Sequence, residues 1–511
     1  MKIALAQVNS IIGDLEGNVE RCLAAVAAAR VQGADLVVLP EMAIPGYPPR
    51  DILFDVSFAS AIEVATTDLA HRVAGGLPVV VGTALPGGLV APEHPGLFNA
   101  AVLLHAGEVT LVAAKRLLPT YDVFYESRWF TPGPALPPLV LGGRKIGFLV
   151  CEDLWDEGYP LHPTADLLVA GADLLICIAA SPFRRDILAQ RLHHARRPCC
   201  PLVYVNLVGA NDELIFDGCS FVLDGDGRFL AQLPGFEPAV QVVDLADAPL
   251  VSPSVFAPEA TLFQALVLGI RDFVTKNRLG RVTLGLSGGV DSAVVAVLAA
   301  EAVGAANVTA LAIPSRYTDP RSTECARELA AALGTGFEVV DLEPLHAAAE
   351  ATLGSWLGDG VGAENAQARL RMLILMAYIN RYGGILLNTS NKTELALGYG
   401  TLYADLAGTL SPLGDLTKPE VYALAAWIQQ NRGAPIPAFI LERPPSAELK
   451  PDQVDPFDYP KIAPLLEQLV RENRSNTALR RSEHKRWHMG VILKVSEKAF
   501  GTGRLIPITR L

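Results

Sequence analysis

The stretch RVTLGLSGGVDSAVVAVLAA, residues 281–300, constrains the fold more than any other: an apolar β-run, a turn with two adjacent glycines and an Ala/Val-rich helix follow one another without a break. A strand–turn–helix unit of this kind builds a parallel sheet covered by helices, and the pattern around it repeats. Helical periodicity at 259–277 precedes strand VTLGLS; helix 291–303, strand VTALAIP, helix 320–333 and strand FEVVDL follow, then a longer helix near 363–382 and strand GILLNT. The last seventy residues, rich in Pro and charge, read as loops and short helices closing over a site.

The first half is also α/β but differently built: IALAQV, an Ala-rich helix near 16–32, ADLVVLP, LPVVVGTA, then AAVLLHAG joined to EVTLVAAK through Gly107 as a hairpin. KIGFLV, DLLICIA, PLVYVNLV and the hairpin CSFVLDGDGRFLAQL follow. Many strands with several hairpins predict a mixed sheet. Pro234, Pro238, Pro249, Pro253 and Pro258 mark the change of pattern, which predicts domains over 1–233 and 259–511 with a Pro-rich linker over 234–258.

At 511 residues the chain has room for two to four domains, two of them large, and 50% hydrophobic residues exclude disorder as a whole. LPVVVGTALPGGLVAP at 77–92 is broken by Gly and Pro short of the ~20 apolar residues of a membrane span. MKIALAQVNS lacks a small-residue cleavage site, so a soluble, cytoplasmic protein is expected. Forty-two Lys plus Arg against 54 Asp plus Glu give a net charge of −12, which argues against nucleic acid as the main partner and leaves small anions at local Gly-rich loops. Seven widely spaced cysteines without C-x-x-C fit free thiols in a reducing compartment and offer no zinc spacing. His193-His194 and Cys199-Cys200 likewise read as helix-surface and core residues, and DGDGR at 224–228 as a hairpin turn rather than a calcium loop.

Three polar residues each stand directly after an apolar strand: Glu41 in DLVVLPEMAIPGYPPRD, Lys115 in TLVAAKRLLPTYDVFYESRWF and Cys151 in KIGFLVCEDLWD. Singly, such a thiol is often packed and inert and such charges are solvated. A nucleophile, a base and a cation recurring at the same structural place point instead to amide hydrolysis through a thioester. Glu41 would take the thiol proton, Cys151 attack the carboxamide carbon, and Lys115 stabilise the oxyanion and lower the thiol pKa. PEMAIPGYPPRD, KRLLPTYDVFYESRWF and GFLVCEDLW resemble the three signature segments of the nitrilase, or carbon–nitrogen hydrolase, superfamily. The resemblance covers about 1–230 and implies an α-β-β-α sandwich with a Glu-Lys-Cys triad. It also implies a substrate-positioning role for Glu126 and glutamine contacts for Tyr121 and Ser181. It expects a Lys or Arg about six residues after that serine, for the substrate's α-carboxylate; this chain has Ile187, so Arg184, Arg185 or Arg191 should stand in.

In the second half, Gly285, Ser287, Gly288, Gly289, Asp291 and Ser292 form a turn whose N–H groups and hydroxyls suit a phosphate at a helix start. Gly285 to Gly289 also satisfies G-x-S-x-G, a nucleophile elbow that would need a later histidine such as His346, His484 or His488. SGGVDS taken whole resembles the pyrophosphatase loop of ATP-dependent adenylating enzymes, which implies that Asp291 helps hold Mg²⁺. Further on, ENAQARLRM, NTSNKTELALGYGTLYADLAGTLSPLGDLTK, PPSAEL and EHKRWH resemble NAD synthetases, and with the amidase half the chain resembles their glutamine-dependent form nearly end to end.

That resemblance implies a doubly wound parallel sheet of the adenine-nucleotide α-hydrolase type, with ATP, deamido-NAD and L-glutamine as substrates, and a homo-oligomer. Thr389, Lys418 and Ser446 fall on ATP contacts, Glu394 on Mg²⁺ or the dinucleotide, and Asn365, Arg369 and Lys485 on deamido-NAD contacts. Arg369 and Arg371, two apart on a helix, face different sides, so one of them is a surface residue. His484 and His488 have a metal spacing without a following Glu, and Leu402 replaces a Lys of the ammonia-using relatives. Two rivals remain: a synthetase acting on another carboxylate, and an amidase regulated by an ATP-binding domain.

Overall fold

The computed structural model describes residues 1–87, 96–254, 257–358, 360–433, 436–474, 476–486, 488 and 490–500. Trp487 of EHKRWH and residues 501–511 of the expected C-terminal domain lie outside them. The chain divides into two compact units, 1–255 and 256–511.

The first unit runs β1 (Lys2–Gln7), α1 (Leu15–Val31), β2 (Leu36–Val38), α2 (Val56–Val73), β3 (Val79–Pro86), β4 (Leu97–His105), β5 (Glu108–Ala114), β6 (Leu139–Leu141), β7 (Arg144–Val150) and α3 (Pro163–Val169). It continues with β8 (Leu174–Ala179), α4 (Ile187–Arg196), β9 (Leu202–Asn206), the hairpin β10 (Val208–Asn211) and β11 (Leu214–Asp217), β12 (Phe221–Leu223), β13 (Phe229–Gln232) and β14 (Ala239–Asp244). Two six-stranded sheets result, ordered β14-β1-β2-β3-β4-β5 and β13-β12-β9-β8-β7-β6. Strand alternation assigns their faces: Ala4 and Ala6 pack with Val19, Val26 and Leu69 of α1 and α2, whereas Ile3 and Leu5 pack with Phe148, Ile176 and Tyr204 of the second sheet. Helices outside, two sheets inside: the unit is an α-β-β-α sandwich.

The segment expected as a linker differs. AVQVVD at 239–244 pairs antiparallel with β1 from Lys2↔Asp244 to Gln7↔Ala239. Pro234 and Pro238 precede this strand and Pro249 follows it, so the prolines bracket an edge strand rather than fill a loop. The DGDGR stretch is the turn between β12 and β13, where Asp224 Oδ1 accepts from the N–H of Asp226 at 3.0 Å and of Arg228 at 2.8 Å.

In the second unit, α5 (Pro258–Lys276) leads into β15 (Val282–Gly285), α6 (Val290–Val303), β16 (Val308–Ala312), α7 (Pro320–Leu333), β17 (Gly336–Val339), α8 (Glu343–Leu353), α9 (Val361–Tyr382) and β18 (Ile385–Leu386). The strands are all parallel in the order β17-β16-β15-β18, so the winding reverses between β15 and β18. A crevice opens at the carboxyl ends of strands at such a switch point. Two capping boxes start helices there: Asn391 with Glu394 begins α10 (Lys392–Leu397), and Thr417 with Glu420 begins α11 (Lys418–Asn431).

Gln7, fully buried at the end of β1, ties the two ends of the first unit together. Its Nε2 donates to Pro234 O at 2.7 Å and Glu237 O at 2.8 Å, and its Oε1 accepts from Ser220 N at 3.2 Å and Oγ at 3.0 Å. Gly218 (φ +65°) must be glycine beside it, since a Cβ there would lie 2.7 Å from Gln7 Oε1. Gln7→Leu keeps the size but strips the partner from the buried Ser220 N–H and from two part-buried carbonyls. Chemical denaturation of the first unit should show a loss of about 2–4 kcal/mol.

Candidate active sites

Glu41, Lys115 and Cys151 meet where the strands end. Lys115 Nζ donates to Glu41 Oε1 at 2.9 Å and to Glu126 Oε1 at 2.8 Å, and the three side chains are 0–2% exposed. Asn99 Nδ2 donates to Glu41 Oε1 at 2.6 Å, Ala180 N to Glu41 Oε2 at 2.7 Å, and Tyr47 OH to Glu126 Oε1 at 2.8 Å. Gly82 on β3 admits the Glu41 backbone, because a Cβ there would come within 2.5 Å of Glu41 Cα. Burial opposes the Lys115 charge, yet Glu126 and Glu41 hold its ammonium well above the usual range. Burial pushes the Glu126 carboxyl up, and its Oε2 makes no hydrogen bond.

Cys151 sits at the start of a 3₁₀ turn, Cys151–Leu154, with φ +48°, an uncommon conformation for a residue with a side chain. Burial and the Glu41 charge push its thiol well above the ordinary value and outweigh Lys115. Lys115 pulls the thiol pKa down, as expected, but less than burial and Glu41 raise it, which fits a thiol that gives its proton to a base on attack. Tyr121, half exposed, donates to Glu152 Oε1 at 3.1 Å and Oε2 at 3.0 Å, and Tyr159 donates to Oε1 at 2.9 Å.

Ser181 follows the Ala180 that holds Glu41. Its Oγ accepts from Arg191 Nε at 3.1 Å, and its carbonyl from Arg191 Nη2 at 2.8 Å. Arg191 is fully buried and its Nη1 lies 2.8 Å from Asp217 Oδ1. Its donors are thus spent on holding the Ser181 segment, which removes Arg191 as a stand-in for Ile187. Ile187 itself is buried, and Arg184 donates to Gln190.

In the second unit a cavity of about 530 Å³ opens at the switch point. Gly285, Ser287, Gly289, Asp291, Ser292, Asn365, Thr389, Glu394, Lys418, Ser446 and Lys485 all line it. Gly288 (φ +78°) makes the turn instead: a Cβ there would lie 2.4 Å from Ser322 O. Ser287 Oγ lies 3.2 Å from Ser292 Oγ and accepts from Gly289 N at 3.3 Å; among the described residues no histidine bonds to it, and the elbow reading falls. His488 packs on Tyr403 at 5.0 Å.

Lys418 Nζ bridges Asp291 Oδ2 and Glu394 Oε1, the latter at 3.2 Å, while Asn391 Nδ2 donates to Asp291 Oδ1 at 3.0 Å. Burial pushes Glu394 up to about 7 against the pull of Lys418. Lys485 Nζ is held by Gly398 O at 2.7 Å and Gly400 O at 2.6 Å, Asn365 Oδ1 accepts from Thr401 Oγ1 at 2.7 Å, and the Ser446 hydroxyl donates to Gln453 O. One residue is corrected: Arg369 is exposed with its Nε on Leu402 O at 3.3 Å, and Arg371 lines the cavity. Two residues apart on α9 turn by roughly 200°, so only one of them can face inward.

Residues 2–249 match the carbon-nitrogen hydrolase family and 262–499 the NAD synthase family. The glutamine-dependent NAD(+) synthetase of Rhodobacter capsulatus is 41% identical over 93% of this chain and 89% of its own, and that of Synechocystis sp. 36% identical over 99% and 98%. The chain belongs to the glutamine-dependent NAD(+) synthetase family. The solved structure of the family's Acinetobacter baumannii enzyme in complex with adenosine diphosphate superposes with TM-score 0.80 at 28% identity, over 99% of this chain and 98% of that one.

Against this synthetase-family background, the sequence motifs pass over Asn99, Tyr47, Glu152 and Asp153. The last two lie within CEDLW, one and two residues after the nucleophile. Asp153 is buried and joins both halves of the amidase site: Oδ1 accepts from Arg116 N at 2.9 Å and Leu117 N at 3.0 Å, and Oδ2 from Val150 N at 3.3 Å. Burial raises its carboxyl to about 7. A raised carboxyl keeps its proton in the folded state after the unfolded chain has lost it, so its contribution to stability falls as pH rises from about 4 to 7. Asp153→Asn removes this titration. The variant's melting temperature minus the parent's should increase from pH 5 to pH 8, and calorimetry on the two proteins measures it.

Proposed function

We propose that the chain is a glutamine-hydrolysing NAD synthetase, a ligase forming NAD, AMP, diphosphate and glutamate from deamido-NAD, ATP and glutamine. One observation carries the reading: a thiol–carboxylate–lysine cluster and a phosphate-loop cavity occur as two separate sites, each complete within its own unit.

In the first site Glu41 accepts the Cys151 proton as sulfur attacks the carboxamide carbon, and Lys115 faces the developing oxyanion. The buried Oε2 of Glu126, without a partner, is an acceptor for a carboxamide N–H. The tetrahedral intermediate collapses with loss of ammonia to a thioester, which water cleaves to glutamate. Tyr121 and Ser181 flank this chemistry through Glu152 and Ala180.

In the second site the nicotinate carboxylate of deamido-NAD attacks the α-phosphorus of ATP, diphosphate leaves, and ammonia displaces AMP from the acyl-adenylate. The N–H groups of the 285–292 turn suit the phosphates. Lys418, Thr389 and Ser446 stand along the nucleotide, and Asn365, Arg371 and Lys485 serve the dinucleotide, whose carboxylate and pyrophosphate suit a guanidinium. Asp291 and Glu394 offer the hard oxygen donors Mg²⁺ prefers and already share one cationic partner, so the residues fit the ion. When bound, Mg²⁺ neutralises charge on the transferring phosphates.

Mass detection of NAD, AMP and glutamate from deamido-NAD, ATP, Mg²⁺ and glutamine tests the reading; formation of AMP without NAD would refute it. Cys151→Ala should abolish glutamine-dependent synthesis and leave synthesis from ammonium salts within about twofold, because the second site keeps all its residues. Arg371→Ala should raise the deamido-NAD KM at least tenfold with either nitrogen donor, and Arg369→Ala should change it less than threefold. Steady-state kinetics with both donors decides between the two arginines.

A further inference from the structure

We propose that Glu157, His193 and His194 form a surface site for a borderline divalent metal ion of the Zn²⁺ type. The two histidines occupy the last turn of α4, and Glu157 comes from the segment just after the nucleophile turn. Their ligand atoms all lie within 4.8 Å of one another. His193 Nε2 is 3.3 Å and His194 Nδ1 3.9 Å from the same oxygen, Glu157 Oε2. Bonds of ~2.0–2.1 Å in tetrahedral geometry put ligand atoms roughly 3.3–3.5 Å apart, so small side-chain rotations complete the triangle.

The surroundings favour an ion over an ordinary charge pair. His194 Nδ1 is buried and makes no hydrogen bond, and its ring is fixed against Trp155 at 4.3 Å. Glu157 presents its Oε2 to both rings. Arg197 Nε takes the other oxygen, Oε1, at 3.4 Å and leaves Oε2 to the imidazoles. His193 and Glu157 are about half exposed, so a fourth position is open to water. Two imidazoles and one carboxylate are a set that suits Zn²⁺. Trp155 closes the turn that begins at Cys151, and α4 carries the Arg191 that holds Ser181. An ion here therefore ties two supports of the amidase site to each other.

The test is equilibrium dialysis of the full chain against Zn²⁺ at pH 7.5, for the parent and for Glu157→Gln and His193→Gln, both changes at exposed side chains. The parent should hold one more Zn²⁺ than either variant. Zn²⁺ should also raise the parent's melting temperature above that of either variant. Equal stoichiometry in all three proteins, whether from thiols alone or from no binding at all, overturns the proposal.

Discussion

One buried ammonium organises the first unit. Lys115 Nζ lies between Glu41 and Glu126, all three side chains shut off from bulk solvent. Removing one partner from such a group strands a charge and costs about 3–5 kcal/mol, so the surroundings must hold all three. They do so from separate strands: Asn99 from β4, the Ala180 N–H after β8, and Tyr47 from the loop after β2. The trio stands beside a thiol whose pKa burial pushes up, and such a thiol needs a base to attack.

The second unit repeats the device with a different exit. Lys418, at the start of α11, again joins two carboxylates, but these line an open cavity from the first turns of two other helices, Asp291 on α6 and Glu394 on α10. Helix N-termini add partial positive charge to the lysine, so an anion entering the cavity meets donors from several directions. The amidase cluster is closed around its charges and acts on a neutral amide. The cluster of the second unit lines an open cavity.

Residues that the fold brings together at their own side-chain tips were legible in the sequence. Glu41, Lys115 and Cys151 each follow an apolar run, and the glycines of 285–289 stand between a strand and a helix. Asp153 was not legible, because its partners are backbone N–H groups about 36 residues away. The choice between Arg369 and Arg371 needed the rotation of α9, and the fate of Arg191 needed Asp217 from another strand. His193-His194 fail every local spacing rule because Glu157 reaches them from 36 residues upstream. β14 was hidden by its flanking prolines and by AVQVVD lacking a strict apolar–polar alternation.

That edge strand decides where the amidase half can be severed from the rest. β1 is hydrogen-bonded to β14 on one side and to β2 on the other. A fragment ending at residue 233 would bare the N–H and C=O groups of every second residue along one edge of β1, a template for pairing with another chain. It would also lose the Pro234 and Glu237 carbonyls that receive Gln7. A cut beyond Asp244 keeps β1 paired on both edges and Gln7 with its partners, so the amidase half carries its own rim only when it takes the proline-flanked strand with it.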